Sequence, residues 1–180
     1  MALAHEKLHT VDDILALPDG ERAELIDGVM YDMASPSRIH QKILMALSSA
    51  LHSHVKEKGG ECEVYPAPFA VFLADDDRNY LEPDVVVVCD KDKLRDDGCH
   101  GAPDLVAEIV SPYSISRDYM TKLFKYKDSG VKEYWIVDPE KRNVRVYNFQ
   151  TEYTDDYSFD TNVDVGLFPG LKINIDKLIT

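Results

Sequence analysis

Cysteine is scarce in this chain and follows no metal-binding spacing. The three cysteines are Cys62, Cys89 and Cys99, and no two of them form a CxxC pair. An odd number of cysteines without paired spacing argues against a disulfide framework and against a zinc site built from thiolates. We therefore expect reduced thiols, as in a cytosolic protein.

Long apolar segments are also missing. No run approaches the ~20 apolar residues that a membrane-spanning helix needs. The N-terminus, MALAHEKLHTVDD, lacks the apolar centre of a signal peptide. The sequence thus predicts a cytoplasmic protein that has no membrane partner.

Positive charge is in short supply. Lysine and arginine together number 20, against 33 aspartates and glutamates, which gives a formal net charge of -13. This balance argues against a protein that coats nucleic acid through a broad basic surface. It leaves room for a local basic patch, or for carboxylates gathered around a divalent cation.

Several catalytic fingerprints are absent as well. The chain contains neither GxxxxGK[ST] nor GxGxxG, so the sequence indicates no phosphate-binding loop and no dinucleotide site. No GxSxG turn supports a serine hydrolase.

The sequence does contain the pattern of one folded domain. Its 180 residues are 44% apolar and 29% charged, which is typical of a globular chain with a sizeable core. Apolar runs of strand length alternate with segments of helical periodicity, and KEYWIVD and VRVYNF, joined by PEKRN, predict a hairpin. The fold class predicted is α/β or α+β, with a mixed β-sheet and helices packed against it.

Capping signals mark two helices. Ser35 can cap a long helix, with Pro36 in its first turn. Within SISRDYMTKLFKYKDSG, either Ser114 or Ser116 can cap a second helix that ends at Gly130.

One apolar strand contains a glutamate. In DLVAEIVSPYS, residues 104–114, the alternation of an extended strand puts Glu108 on one face between Val106 and Val110. An ionised carboxylate between two valines is costly unless another group pairs with it. Either this face meets water, or Glu108 binds a metal or does acid–base work.

Further polar residues complete a candidate site. Asp84 opens the strand of LEPDVVVVCD, and Lys122 lies on the helix after DLVAEIV, with Asp118 one turn before it and Tyr126 one turn after it. Adjacent strands would bring Asp84 and Glu108 to one sheet edge, where two carboxylates suit Mg²⁺ or Mn²⁺. Lys122 could orient an attacking water or stabilise charge on a phosphate. Each residue also has a purely structural interpretation. Asp84 could be a turn residue after Pro83, and Tyr126 could be a core aromatic. Lys122 could form an ordinary surface ion pair with Asp118.

These residues lie within a pattern that resembles a known family. The chain is similar, from about Thr10 onward, to the Uma2 family of putative restriction endonucleases in the PD-(D/E)xK nuclease superfamily. The matching segments are TVDDILALPDGERAELIDGVMYDMASPSRIHQ, PDVVVV, GAPDLVAEIVSPYS, D-x-x-x-K-x-x-x-Y, GVKEYWIVDP and LFPGLKINIDKL.

The resemblance implies a restriction-endonuclease-like core. It implies one nuclease-like domain over residues 1–180, with a helical and strand extension over about 1–60 and a catalytic core over about 61–150. Asp84 stands at the PD position and Glu108 at the second acidic position. The superfamily places a lysine two residues after that acid, where this chain has Val110. In Uma2-like sequences a lysine from the next helix takes its place, and Lys122 stands there.

Other residues match family positions or neighbour the motif. The resemblance implies Glu24 as an extra metal ligand, and the alternative is a charge at a strand edge. His40 is an accessory candidate, and the alternative is a satisfied, partly buried histidine. Lys125 is the alternative lysine, and Glu82 is an alternative carboxylate.

The leading hypothesis is a metal-dependent endonuclease that hydrolyses DNA with Mg²⁺ or Mn²⁺ on Asp84 and Glu108. Cleavage of both strands would need two sites, so we expect a homodimer. One rival is a nuclease-fold binding module that has lost catalysis, which the acidic surface and Val110 favour. Another is a hydrolase of small phosphoesters.

Overall fold

The secondary structure consists mainly of short strands, with a few helices between them. We describe it from a computed structural model, which covers residues 8–74, 76–112, 114 and 116–180. The α-helices within these residues are α1 (Val11–Leu15), α2 (Arg38–Lys58), α3 (Leu123–Ser129) and α4 (Ile175–Ile179). A 3₁₀-helix spans Lys91–Lys93 and a π-helix spans Arg117–Lys122.

The described strands follow the chain in this order: β1 (Ala23–Ile26), β2 (Val29–Asp32), β3 (Glu63–Pro66), β4 (Val71–Phe72), β5 (Val85–Val88), β6 (Leu94–Arg95), β7 (Gly98–His100), β8 (Leu105–Ile109), β9 (Glu133–Asp138), β10 (Asn143–Asn148), β11 (Tyr153–Ser158), β12 (Val163–Asp164) and β13 (Lys172–Ile173).

A mixed sheet of six of the described strands forms the centre of the protein. Its order is β11-β10-β9-β8-β5-β3. β8 and β9 run parallel, and the other neighbours run antiparallel, including the predicted β9–β10 hairpin. Three smaller groups surround it: the β1–β2 hairpin, the β4-β7-β6 sheet and the β12–β13 pair. The predicted α+β architecture is therefore confirmed.

Both faces of the central strands are covered. The four valines of β5 and all five residues of β8 are buried, which explains why these strands read as nearly continuous apolar runs. One face packs against α2, and the other packs against α3 and the small sheet. On the α2 face lie Leu44, Leu47, Leu51, Val85, Ala107 and Trp135. On the opposite face lie Val86, Val106, Tyr126, Tyr134 and Ile136.

The two capping predictions have different outcomes. Ser37, not Ser35, caps α2, because Ser37 has extended dihedral angles and its hydroxyl accepts a hydrogen bond from the His40 amide. Pro36 therefore precedes the helix. Ser116, one of the two predicted caps of the second helix, stands at its N-cap position but makes no side-chain capping hydrogen bond. The helix ends at Gly130, as predicted, where φ is 94°. It begins as the π-helix rather than as a regular α-helix.

The expectation that all thiols are reduced is wrong. Cys62 and Cys89 form a disulfide, while Cys99 is buried and free. The β3–β5 register pairs Glu63 with Val88, so one further step brings the two cysteines opposite each other. Sequence spacing could not reveal this, because the 27-residue separation carries no sign of the strand register. In the chain-entropy account, closing a loop of this size stabilises the fold by about 3.5 kcal/mol.

The helices carry no sign of a membrane span. None among the described residues is both long and apolar enough to cross a bilayer. The cytoplasmic location stays a prediction, and so does the division into an extension and a catalytic core.

Candidate active site

Two carboxylates meet at one edge of the central sheet. Val85 pairs with Ala107 across β5 and β8, so one further step along the register sets Asp84 opposite Glu108. Directly opposed residues of antiparallel strands project from the same face. The Ile109 amide donates a hydrogen bond of 2.7 Å to Asp84 Oδ2, which anchors that carboxylate at the strand end. The two side chains thus lie at the same edge, as the sequence predicted.

Lys122 joins this edge from the π-helix. Its ammonium Nζ donates hydrogen bonds of 2.8 Å to Glu108 Oε1 and to Glu24 Oε1. It also lies 3.6 Å from Asp118 Oδ1. The Lys122 side chain is only 3% exposed. Its positive charge is therefore stabilised by these carboxylates rather than by water.

Glu24 reaches the cluster from β1. The Glu82 amide donates to Glu24 Oε1 over 3.2 Å, which ties the β1–β2 hairpin to the chain leading into β5. Arg117 Nε lies 3.7 Å from Glu24 Oε2, and the Arg117 guanidinium stacks 5.1 Å from the centre of the Tyr31 ring. The sequence analysis missed Arg117. Its place one residue before Asp118, at the start of the helix that carries Lys122, was the available signal.

Neighbouring charges keep both Glu24 and Lys122 ionised. Burial alone would raise the pKa of Glu24, but Lys122 and Arg117 outweigh burial and hold this pKa below its ordinary value. Burial alone would lower the pKa of Lys122, but Glu108, Glu24 and Asp118 raise it well above its usual value. The Glu24–Lys122 contact is therefore an ion pair at neutral pH.

Glu108 is different from Glu24. Burial raises the pKa of Glu108 to about 8, and the neighbouring negative charges of Asp118, Glu24 and Asp84 add to the shift, which Lys122 opposes. The Tyr126 hydroxyl donates a hydrogen bond of 2.7 Å to Glu108 Oε1. Near neutral pH, this glutamate therefore holds a proton in much of the population. A carboxyl that titrates close to neutral pH is typical of functional sites.

The π-helix is what directs two of these side chains inward. Asp118 and Lys122 lie within it and are buried, whereas Met120 between them is 60% exposed. Burial also raises the pKa of Asp118. A π-helical turn is wider than an α-helical turn and is frequently found at functional sites. The helical segment thus brings Lys122 to the carboxylates at the end of β5 and β8.

His40 lies beside Asp84, whereas the alternative residues do not join the cluster. His40 Nε2 lies 3.1 Å from each Asp84 carboxylate oxygen. Lys125 instead pairs with Asp27. Glu82 accepts hydrogen bonds from Arg22 and from the Tyr80 hydroxyl, at 2.8 Å for the latter.

The carboxylate oxygens of this cluster are the kind of ligand that a hard cation such as Mg²⁺ prefers. Asp84 and Glu108 provide facing carboxylates, and Glu24 Oε2 is buried without a hydrogen-bond partner among the described residues. No three histidine, cysteine, aspartate or glutamate side chains in that part of the chain converge as a ready-made cation site. Mg²⁺ commonly binds through only one or two carboxylates and keeps several waters. Asp84 and Glu108 supply two carboxylates of the type that this mode uses.

Comparison with known proteins identifies the family of this chain. The model of the Uma2 family, described as putative restriction endonuclease, matches residues 11–176. The chain belongs to the Uma2 family. The family's own pattern therefore extends over the hairpin that carries Glu24, the sheet edge and the helix that carries Lys122.

Two relatives illustrate the breadth of the match. An uncharacterized protein, slr1290, from Synechocystis sp. (strain ATCC 27184 / PCC 6803 / Kazusa), is 28% identical over 129 residues, which cover 71% of this chain and 66% of that protein. The crystal structure of a putative nuclease of DUF820 from Anabaena variabilis ATCC 29413 superposes with a TM-score of 0.76 at 24% identity, covering 94% of this chain and 97% of that one. This structural likeness confirms the nuclease-like fold.

The raised pKa of Glu108 makes a prediction about stability. Between its ordinary value of 4.5 and about 8, the folded state holds a proton that the unfolded state has lost. The proton on Glu108 therefore adds to the free energy of unfolding. This contribution is complete below pH 4.5 and is lost as the pH rises to about 8, the pKa in the folded state. We expect Glu108→Gln, which stays neutral, to gain stability relative to the parent protein between about pH 5 and about pH 9, by a few kcal/mol.

Thermal unfolding of both proteins across this pH range measures the difference. Glu57→Gln is the matched control, because Glu57 is exposed on α2 and should give a difference that hardly depends on pH. A pH-independent difference for Glu108→Gln would show that Glu108 is ionised throughout.

Proposed function

We propose that this protein is a metal-dependent endonuclease-type phosphodiesterase that hydrolyses DNA. The observation that carries the proposal is the buried Lys122 ammonium on Glu108, directly beside Asp84. Membership in a family of putative restriction endonucleases supports nucleic acid as the substrate.

The chain's own residues have separate tasks in this proposal. Asp84 and Glu108 would hold Mg²⁺ or Mn²⁺, with Glu24 as a further candidate ligand. Bound there, the ion would polarise the scissile phosphate and lower the pKa of the attacking water. Lys122 places a fixed positive charge at the carboxylate edge, where negative charge develops on the phosphate. Tyr126 and Asp118 orient Glu108 and Lys122 from behind, so we assign them positioning roles.

The partners follow from the same hypothesis. Duplex cleavage needs two sites, so we propose a homodimer. The net charge of -13 opposes the approach of DNA, so association should depend on local cations rather than on the whole surface. A cytoplasmic location, where DNA is accessible, belongs to the same proposal.

Plasmid cleavage tests the enzyme hypothesis. We expect the purified protein to nick or linearise a supercoiled plasmid with Mg²⁺ or Mn²⁺. Asp84→Asn, Glu108→Gln and Lys122→Met should each lose activity by about a hundredfold or more, since each removes a group aimed at the reacting charge. Gel electrophoresis of the plasmid forms measures the rate.

Glu57→Gln serves as the control for a lost surface carboxylate and should cut like the parent protein. Equal cleavage by the parent protein and Glu108→Gln under both metals would rule out the proposed site. Turnover of bis(p-nitrophenyl) phosphate without any plasmid cleavage would instead indicate a hydrolase of small phosphoesters.

A binding module with the same fold is the second candidate. Val110 stands where the superfamily has its lysine, and Lys122 is already paired with Glu24 and Glu108. A lysine paired in this way has less free charge to offer a phosphate. This arrangement would suit a protein that keeps the fold and binds without cleaving.

Calorimetric titration with Mn²⁺ separates the two candidates. For the enzyme, we expect saturable binding that is lost in Asp84→Asn and strengthens as the pH rises toward 8, because Glu108 must lose its proton to ligate. Isothermal titrations at two pH values on both proteins provide the measurement. Binding that is absent, or unchanged in Asp84→Asn, would favour the module.

A further inference from the structure

Arg117 is a largely buried cation that the proposed mechanism does not use. It begins the π-helix, and its side chain is 19% exposed. Its Nε is buried and has no hydrogen-bond partner among the described residues. Its two terminal nitrogens donate no hydrogen bond within that part of the chain either. A guanidinium has five N–H donors, and buried donors are nearly always paired, so these unused donors need an explanation.

Other cations around the site are already neutralised by carboxylates. Three such ion pairs lie around the hairpin, α3 and the central sheet: Arg22 with Glu82, Lys125 with Asp27, and Arg145 with Asp156. A cation paired in this way offers little free charge to an anionic ligand. Arg117 differs, because its carboxylate neighbour, Glu24, accepts no hydrogen bond from it.

The contact between Arg117 and Glu24 is incomplete. Arg117 Nε lies 3.7 Å from Glu24 Oε2, which is longer than the limit of about 3.2 Å for a good N–H···O hydrogen bond. Glu24 Oε2 is itself buried without a hydrogen-bond partner among the described residues. The other oxygen of this carboxylate accepts from Lys122 and from the Glu82 amide. Glu24 therefore balances the charge of Arg117 without occupying its donors.

An aromatic ring holds the Arg117 guanidinium in place. Tyr31 is paired with Glu24 across the β1–β2 hairpin, so both side chains lie on one face of it. Arg117 lies across that face, with its guanidinium carbon 5.1 Å from the centre of the Tyr31 ring. A guanidinium that is already ordered on a ring loses less side-chain entropy when it binds a ligand. Its planar fork of donors suits two parallel hydrogen bonds to a phosphate.

The Arg117 side chain lies close to the carboxylate edge. Glu24 and Lys122 connect it to Glu108 through contacts of 3.7, 2.8 and 2.8 Å. With the width of the Glu24 carboxylate added, Arg117 Nε is at most about 12 Å from Glu108 Oε1. A DNA strand carries one phosphate per ~3.4 Å of axis, so one strand can contact both places within about four nucleotides.

We infer that Arg117 binds a phosphate of the nucleic acid strand, within about four nucleotides of the phosphate at Asp84 and Glu108. The guanidinium donates to the phosphate oxygens, while Tyr31 and Glu24 hold it in place. The inference rests on the proposed function for its substrate class. It names a local cation through which DNA can associate with a protein of negative net charge.

The salt dependence of DNA binding tests the inference apart from catalysis. The probes are two fluorescent duplexes of unrelated sequence, titrated by anisotropy with Ca²⁺ in place of Mg²⁺, between about 50 and about 200 mM KCl. The loss of one phosphate contact lowers the slope of log K against log salt by about 0.9. We expect Arg117→Met to show this smaller slope with both duplexes and to bind each roughly tenfold more weakly at the lowest salt concentration.

Two further variants separate phosphate binding from a structural role. Arg117→Lys keeps the positive charge beside Glu24, so it should fold like the parent protein and keep the salt slope. It should bind roughly three- to tenfold more weakly, because an ammonium cannot form the paired hydrogen bonds. Lys58→Met removes an exposed cation from the end of α2, about 27 Å along the helix from His40, and should bind like the parent protein. Thermal unfolding reports any structural contribution separately, since a purely structural Arg117 would change stability at an unchanged salt slope.

An unchanged salt slope in folded Arg117→Met would overturn the inference, and so would the absence of duplex binding by the parent protein. If Arg117→Met does not fold, full parent affinity in Arg117→Lys would overturn it instead. A smaller slope in Arg117→Met, without plasmid cleavage by the parent protein, would refute catalysis while leaving the phosphate contact standing. Plasmid cleavage by the parent protein, with an unchanged slope in Arg117→Met, would do the reverse.

Discussion

The buried ammonium of Lys122 is the constraint on which the arrangement of this protein depends. A charge that is 3% exposed must be paired, and its partners come from separate parts of the chain: Glu24, Glu108 and Asp118. The Lys122 ammonium can be paired with all three carboxylates only if the β1–β2 hairpin, the central sheet and the π-helix meet at one point. The same requirement brings Arg117 to the open side of Glu24. Packing and electrostatics therefore specify the same geometry.

That geometry divides the carboxylates into two kinds. Glu24 stays ionised between two cations, whereas Glu108 titrates at about 8 because burial and its negative neighbours disfavour its charge. Asp84, held by the Ile109 amide and His40, completes the edge. Under the proposed function, Glu108 would have to release its proton before it could bind a cation.

The sequence predicted which residues lie near one another at the site, because strand alternation and motif spacing can be recognised within short segments of the chain. The pairing of Asp84 with Glu108 followed from two neighbouring apolar strands, and Lys122 followed from the helix after them. Arg117, the π-helix and the Cys62–Cys89 disulfide did not follow. The disulfide depends on strand register, the π-helix on its own backbone hydrogen-bond pattern, and the approach of Arg117 to Glu24 on the packing of distant segments. Residue spacing encodes none of these. Ser37, not Ser35, caps α2 for a local reason, since the Ser37 hydroxyl accepts a hydrogen bond from the His40 amide in the first turn.

A double-mutant cycle on Glu24 and Lys122 tests the central claim most directly. Urea unfolding of the parent protein, Glu24→Gln, Lys122→Met and the double variant gives the coupling free energy of the pair. If the buried ammonium organises the site, each single change should cost about 3 kcal/mol or more, and the double variant should recover at least about 2 kcal/mol of their sum. Additivity within about 0.5 kcal/mol would contradict the account, because it would mean that Lys122 and Glu24 contribute independently.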